Sequence, residues 1–252
     1  MYCFRTLVFI ATFFSLAACF SSQSGILGPQ PGMEAYVPAR IAILPCQNWP
    51  SQAGFKSRPL SNAPDEDIKA TCAKIDQVVL DGFAHQPFMK GYSPKALKAS
   101  LSKAGLGAML DAPLTSWTET SASPCQTCKD HFALYTEQIS KIPAWIGWLN
   151  TLSLNSGYAD ATLIPSLLWL QERLESNQGV HLAVREASVG LFLLDTNNGR
   201  LIWSGRRTVR LFQPSASLPS SSPPLFPSWD AIREKLAGPD LWRGFPGRIE
   251  GH

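Results

Sequence analysis

The spacing of apolar residues changes several times along the chain, and each change marks a predicted element. Residues 41–44 form a short run without polar side chains, which is typical of a strand buried on both faces of a sheet. Over residues 68–83 the apolar positions recur every three or four residues, which predicts an amphipathic helix. Ser93 and Pro94 suit the cap and the first residue of a second helix that extends to about residue 104.

The second half of the chain is divided in the same way. Helical spacing returns over residues 131–154, with an interruption at Pro143. Residues 161–170 predict a strand, in which Pro165 is expected at a bulge or a sheet edge. A helix over the same run remains an alternative. Residues 229–236 predict a short helix near the end of the chain.

The clearest local signal is a β-hairpin. Two strand-like runs, residues 180–195 and 200–212, are joined by Thr-Asn-Asn-Gly, and the Asn-Gly pair supplies the positive φ angles of a tight turn. Asp195 is expected to bond to this turn rather than to act in catalysis. Three arginines of the second strand are interpreted as a solvated face or as protection of a sheet edge, with contact to lipid head groups or peptidoglycan as the alternative: Arg206, Arg207 and Arg210. Together the elements predict an α/β or α+β fold, in which a small mixed sheet with a C-terminal β-hairpin is flanked by helices.

The first twenty residues have the organisation of a signal peptide. Arg5 precedes a short apolar run at residues 7–14, and small residues follow it up to Cys19. The run is much shorter than the roughly 20 apolar residues of a spanning helix, so an uncleaved membrane anchor is the weaker alternative.

The segment Leu16-Ala17-Ala18-Cys19 resembles the lipobox of bacterial lipoproteins. The resemblance implies cleavage after residue 18 and lipidation of Cys19, which would anchor the protein in a membrane through acyl chains such as palmitate. Phe20 follows the cysteine where an inner-membrane retention signal has Asp. This difference favours the periplasmic face of the outer membrane.

Composition divides the chain into four segments. Residues 1–18 are the predicted signal peptide, and residues 19–38 contain the lipidated cysteine and a flexible tether rich in Ser, Gln, Gly and Pro. Residues 39–212 are predicted to form a single α/β domain with a cysteine-containing loop at 111–130. Residues 213–252 contain a Pro/Ser loop, the short helix and a Trp-rich tail.

Several motifs of the domain resemble CsgG-like and TolB-N-terminal-like lipoprotein domains. They are Arg-Ile-Ala-Ile-Leu-Pro at residues 40–45, Gly-Tyr-Ser-Pro at 91–94, and the hairpin sequence with Asp-Thr, Gly and Trp-Ser-Gly at 195–205. The resemblance implies periplasmic proteins that act by assembly, as secretion channels, transport accessories or envelope scaffolds. It provides no catalytic residues to transfer.

The charge balance narrows the range of partners. The 252 residues include 22 Lys and Arg against 19 Asp and Glu, and only 16% of residues are charged. This composition argues against a solvated coiled coil and against a general nucleic-acid binder. We expect membrane contact through the lipid anchor and contact with other envelope proteins or a second copy. The sequence identifies no small-molecule substrate, and we expect no cofactor.

The cysteines offer a structural role and two chemical alternatives. Four remain after loss of the signal peptide and lipidation of Cys19: Cys46, Cys72, Cys125 and Cys128. In an oxidising compartment we expect structural disulfides, with Cys46 to Cys72 and Cys125 to Cys128 as one of three possible pairings. Thiol-redox activity of the Cys-x-x-Cys pair is one alternative. A zinc site with His131 is the other, and it needs a fourth ligand from Cys46 or Cys72.

No hydrolase or phosphate-binding motif is present in the sequence. We therefore predict a non-enzymatic, lipid-anchored periplasmic module that assists assembly, secretion or transport, with no catalytic residues and no metal. Three tryptophans in loop or tail positions are the candidate partner-binding residues: Trp117, Trp229 and Trp242.

Overall fold

A mixed sheet with helices on both faces organises the protein. The computed structural model describes residues 21–23, 28–48, 61–84, 86, 88–110, 128, 130–177, 180–215 and 225–247. Within this part of the chain, eight strands form one sheet. The strands are β1 (Ser21–Gln23), β2 (Gly28–Pro29), β3 (Arg40–Ile43), β4 (Gln47–Asn48), β5 (Lys90–Tyr92), β6 (Ala161–Asn177), β7 (Val180–Asp195) and β8 (Leu201–Ser215). The helices are α1 (Asp65–Ala84), α2 (Pro94–Lys103), α3 (His131–Glu137), α4 (Pro143–Asn155) and α5 (Trp229–Glu234).

The strand order is β1-β8-β7-β6-β3-β5, while β2 also pairs with β8 and β4 with β6. Strand β3 runs parallel to β5 and β6, and β4 runs parallel to β6. The three long strands β6, β7 and β8 are antiparallel to their neighbours in the series. The predicted mixed sheet with a C-terminal hairpin and flanking helices is confirmed.

Strand β3 shows why helices cover both faces of the sheet. Ile41 and Ile43 belong to one apolar cluster, which includes α1 and the C-terminal segment. Ala42 and Leu44 point the opposite way, into a second cluster that includes α2, α3 and α4. A strand with apolar residues at successive positions must be buried on both sides, as the sequence predicts.

The first two helices form where their sequence pattern places them. Ile75 and Val79 of α1 are buried, and Phe83 packs against the same cluster. At the start of α2, the Ser93 hydroxyl accepts a hydrogen bond from the amide of Ala96 at 3.3 Å. This bond satisfies one of the amides left unpaired at a helix N-terminus.

Pro165 occupies a gap in the hydrogen-bond ladder of β6. Strand β3 pairs with β6 up to Leu163, and β4 pairs with it from Ser166. Pro165 lacks an amide hydrogen, and it is tolerated here because it lies between the segments of β6 that pair with β3 and with β4. The irregularity in pairing with β7 lies between Leu167 and Trp169, so the bulge is placed just after the proline.

The hairpin turn depends on one glycine. Gly199 has a φ of 69°, and it is the residue of the turn with positive φ, so the expectation that Asn198 shares this conformation is wrong. Asp195 accepts hydrogen bonds at 2.8 Å from the amide of Asn197 and from the side chain of Asn198. This carboxylate therefore stabilises its own turn, as the sequence predicts.

The predicted tether is part of the domain where the structure describes it. Strands β1 and β2 pair with β8, and Met33 and Tyr36 pack against the apolar cluster of α1. The Tyr36 hydroxyl lies 3.3 Å from the carbonyl oxygen of Asp160, to which it donates. Without these short strands, long β8 would leave an unpaired edge. The interpretation of residues 28–38 as flexible is therefore wrong.

Candidate functional site

The long strands extend past the rest of the sheet as an antiparallel ribbon. Strand β4 pairs with β6 at residues 166 and 167, whereas the pairing of β6 with β7 continues to Asn177 and Val180. We call residues 169–177, 180–188 and 206–215 the outer ribbon. It carries most of the charged side chains that the three strands present, so it is the candidate site.

An ion-pair network covers one face of the outer ribbon. The Arg173 guanidinium lies 2.8 Å from Glu175 and 3.1 Å from Glu186, and Arg210 also pairs with Glu175. Burial would lower the pKa of Arg173, but the hydrogen bonds and charges of Glu186 and Glu175 outweigh it and raise the pKa. The network joins all three strands through their side chains.

Arg206 continues this face toward the helices. Its guanidinium carbon lies 4.6 Å from the centre of a Trp169 ring, and its Nε donates to the Ser188 hydroxyl at 3.2 Å. The Trp169 indole in turn donates to Glu186 at 2.9 Å. Burial lowers the pKa of Arg206, although the charges of Asp130 and Glu186 oppose that effect. The indole and the hydroxyl position the cation, and no carboxylate among the described residues forms an ion pair with it.

On the opposite face, Arg185 joins the ribbon to the C-terminal segment. It pairs with Glu172 at 2.9 Å and donates to the carbonyl oxygen of Pro227 at 2.8 Å. Its guanidinium carbon also lies 4.5 Å from the ring centre of Trp229 and 5.5 Å from that of Phe226. This arginine is thus held by a charge, a carbonyl and two aromatic faces.

The three arginines of β8 do not share a solvated face. Arg207 is 7% exposed, pairs with Asp240 at 3.2 Å and donates to the carbonyl oxygen of Lys235 at 2.9 Å. Arg206 and Arg210 make their contacts on the other side of the strand. Because side chains alternate along a strand, the interpretation of one solvated face is wrong for Arg207.

The outer ribbon also exposes apolar side chains. Leu174 and Val180 are 47% and 51% exposed. Leu225 is 77% exposed and is held near the ribbon, because its carbonyl oxygen accepts a hydrogen bond from Gln213. The carboxylates of the outer ribbon are each paired with an arginine: Glu172, Glu175 and Glu186. The surface therefore combines apolar groups with carboxylates that are each neutralised by an arginine.

Strand β1 brings the N-terminal end of the described chain to this site. Ser21 pairs with Arg210, and Gln23 pairs with Thr208. Because the pairing is antiparallel, Ser21 is the end of β1 that lies nearer to Ser215 at the outer end of β8. Cys19 lies two positions before Ser21 and is outside the described residues, so its lipidation stays a prediction.

A disulfide joins Cys46 to Cys72, with the two Cα atoms 5.3 Å apart. Asp76, one turn further along α1, accepts a hydrogen bond from the Cys46 amide at 2.7 Å. Burial raises the pKa of Asp76 to about 6, and the bond from Cys46 only partly offsets the effect. The disulfide uses both cysteines from which the zinc alternative needed a fourth ligand.

The Cys-x-x-Cys pair is described only at its second member. Cys125 is outside the described residues, whereas Cys128 is 7% exposed. The Cys128 sulfur lies 3.7 Å from Oε2 of Glu137. Among the described residues, no group of three or more His, Cys, Asp or Glu side chains is placed to share a metal ion. Redox activity of the pair stays a prediction.

The two described candidate tryptophans are core residues. Trp229 and Trp242 are each 5% exposed and belong to the apolar cluster of α1. Trp242 makes edge contacts with Phe83 and Phe245, at centroid distances of 5.5 and 5.3 Å. The prediction that these two bind a partner is wrong, because the C-terminal segment folds back over the sheet. Trp117 is outside the described residues.

A shallow cavity of about 390 Å³ lies beside the hairpin turn. Two of its polar side chains are used within the fold: Ser140 donates to the Thr136 carbonyl at 2.8 Å, and Arg200 donates to the Pro31 carbonyl at 3.1 Å. The cavity lining combines polar side chains with Pro31 and Leu201, and it brings no base into contact with a nucleophile. None of the described helices has both the length and the apolar character needed to cross a bilayer.

Comparison with known proteins gives distant similarities of structure. No family model matches the chain, and no curated protein matches it. The resemblance to CsgG-like and TolB-N-terminal-like domains therefore stays a prediction.

Three solved structures illustrate the similarity. Lipoprotein GNA1162 from Neisseria meningitidis is 13% identical, with 79% of this chain and 92% of that chain covered and a TM-score of 0.35. The PelC dodecamer from Paraburkholderia phytofirmans is 12% identical, with coverage of 91% and 100% and a TM-score of 0.34. The LpoB C-terminal domain from Salmonella enterica is 13% identical, with coverage of 68% and 82% and a TM-score of 0.32. Values this low assign no activity or partner to the present chain.

Proposed function

We propose that this protein is a lipid-anchored envelope protein, attached through Cys19, and that it assists assembly, secretion or transport without catalysing a reaction. The observation that carries the proposal is the lipobox-like sequence Leu16-Ala17-Ala18-Cys19. It closes a signal-like segment two positions before a strand of the folded sheet. The periplasmic face of the outer membrane is the proposed location.

The physical basis is the strength of a multiple lipid anchor. One acyl chain gives reversible membrane binding, whereas two chains give stable attachment. A diacylated Cys19 with an acylated amino group would meet this requirement. Because β1 begins at Ser21, the anchor would hold the domain against the bilayer instead of on a long spacer.

The accessory role is supported by how the charged groups are used. Arg173, Arg185 and Arg210 form ion pairs inside the ribbon, and Arg207 binds the C-terminal segment. These contacts hold the side chains of the ribbon surface in fixed positions, which suits a protein that acts by binding other envelope components.

Cell fractionation tests the anchor. The Cys19→Ala variant should move from the membrane pellet to the soluble periplasm, because the thioether to the lipid cannot form. Cys3→Ala is the matched control, since this cysteine lies in the segment that is removed and its loss should leave the protein in the pellet. Retention of Cys19→Ala in the membrane would contradict lipid anchoring.

Cross-linking in the intact envelope tests the accessory role. We expect covalent complexes that contain a defined envelope protein or a second copy, and their yield should not depend on the thiols of Cys125 and Cys128. Thiol-exchange activity that disappears in the Cys125→Ser, Cys128→Ser double variant would contradict the proposal and favour the redox alternative.

A further inference from the structure

The outer ribbon lies close to the place where the anchored chain would leave the domain. We infer that the free end of the ribbon is the surface that faces the phospholipid bilayer, with Leu174, Val180 and Leu225 as its contacts. The inference rests on the proposed lipidation of Cys19, and it adds an orientation that anchoring alone does not determine.

The register of β1 places the start of the described chain beside the outer ribbon. Ser21 pairs with Arg210 in antiparallel order, so Ser21 is the end of β1 that lies nearer to Ser215. Residues 19 and 20 can span at most about 7 Å from Ser21. Between Arg210 and Ser215 the strand rises about 17 Å. A lipid on Cys19 would therefore leave the protein beside the outer ribbon, well within reach of its free end.

The free end of the outer ribbon exposes apolar side chains. Val180 begins β7 next to the connection from β6, and Leu174 lies in the adjoining strand. Both side chains are about half exposed, and Leu225 is more exposed still. Apolar side chains at the end of an anchored domain are suited to the boundary between headgroups and acyl chains.

Charge does not oppose this contact. Glu172, Glu175 and Glu186 are all paired with arginines of the ribbon. An anionic headgroup would therefore meet neutralised carboxylates instead of free negative charge. Because the pairs Arg173 to Glu186 and Arg185 to Glu172 are formed within the domain, the surface exists before it meets the membrane.

The opposite end of the long strands provides a matched control position. Tyr158 is 69% exposed and precedes the first residue of β6. Strand β6 contains 17 residues, which corresponds to a length of about 55 Å. If the ribbon end faces the bilayer, Tyr158 lies far from it and is directed into the periplasm.

Site-specific photo-crosslinking in native membranes tests this orientation. The full chain would carry the photoreactive amino acid benzoylphenylalanine at position 180 or at position 158, with position 174 as a second probe of the ribbon end. After irradiation, mass spectrometry of the anchored protein should find phospholipid adducts at positions 180 and 174 and none at position 158. Exposed positions are chosen so that the probes do not disturb the core, and the melting temperature of each variant checks this.

These outcomes distinguish a wrong orientation of the ribbon from a missing lipid anchor on Cys19. Adducts at position 158, or adducts at position 180 that contain a second copy instead of lipid, overturn the orientation even when Cys19 is acylated. A chain without acyl groups on Cys19 overturns the proposed anchoring itself, and the orientation with it. If the variant with the photoreactive residue at position 180 does not fold, the variant at position 174 tests the same orientation.

Discussion

Asp76 makes the stability of the fold depend on pH. Burial raises the pKa of its carboxyl group from 3.8 to about 6, so the folded protein holds a proton that the unfolded chain has already released. The favourable contribution is complete below pH 3.8 and is lost as the pH rises to about 6. Above that range both states are ionised, and the burial of a charged carboxylate persists as a constant destabilisation.

The Asp76→Asn variant removes this ionisation and keeps an oxygen that can accept the bond from the Cys46 amide at 2.7 Å. A shift of about 2 pKa units corresponds to about 3 kcal/mol. Because solvent still reaches the group, we expect the variant to be more stable than the wild type by about 1–2 kcal/mol at pH 7.5. The corresponding rise in Tm is about 2–8 °C.

Thermal unfolding of the oxidised protein across pH 3.5 to 7.5 provides the assay, with the exposed Asp81→Asn on the same helix as control. The difference between Asp76→Asn and wild type should be near zero at pH 3.5, grow up to about pH 6 and then stay constant. A variant that is less stable at pH 7.5, or a difference that does not change with pH, would refute the assignment of a buried, proton-holding carboxyl group.

Three further predictions concern the packing of the domain, and denaturant unfolding measures each of them. Trp242→Ala should cost about 3–5 kcal/mol because it empties a buried aromatic site; a cost below 1 kcal/mol would mean that the C-terminal segment is not part of the core. Gly199→Ala should cost about 1 kcal/mol or more, since its φ of 69° strains a side chain. An unchanged stability would contradict the turn geometry. Replacing Cys46 and Cys72 together by Ser should cost about 2–4 kcal/mol through loss of the disulfide, and equal stability with and without reductant would contradict a structural role.

The local elements of this fold follow from the sequence because their causes are local. The amphipathic spacing that ends at Phe83 sets the buried face of α1, and Ser93 caps α2 through a bond to an amide three residues away. The hairpin is equally local, since Asp195 and Gly199 determine their own turn. In each case the partners that decide the structure lie within one or two turns of chain.

The burial of the C-terminal segment depends on a partner far along the sequence. A Cβ atom on Gly82 would lie 2.5 Å from the ring of Trp242, so the helix offers the indole a place only because this residue lacks a side chain. A glycine inside a helix and apolar residues at helical spacing near Trp229 were the available signals. Neither identifies its partner, so Trp229 and Trp242 looked like exposed loop residues.

The same limit applies to the edge of the sheet. Nothing local in Ser-Ser-Gln at residues 21–23 predicts a strand, because its cause is the unpaired edge of β8 nearly two hundred residues later. This pairing changes the expected position of the anchor, from the end of a flexible tether to a point beside the outer ribbon. The lipobox resemblance predicts which residue is lipidated but does not predict how far this residue lies from the domain.

Intact-mass analysis of the protein extracted from membranes determines whether Cys19 is lipidated. We expect a mature chain that begins at Cys19 and carries the added mass of a diacylglyceryl group and an amide-linked acyl chain. Digestion should place both modifications on the N-terminal peptide that contains Cys19. A full-length chain that begins at Met1 and carries no lipid mass would show that the protein is not lipid-anchored.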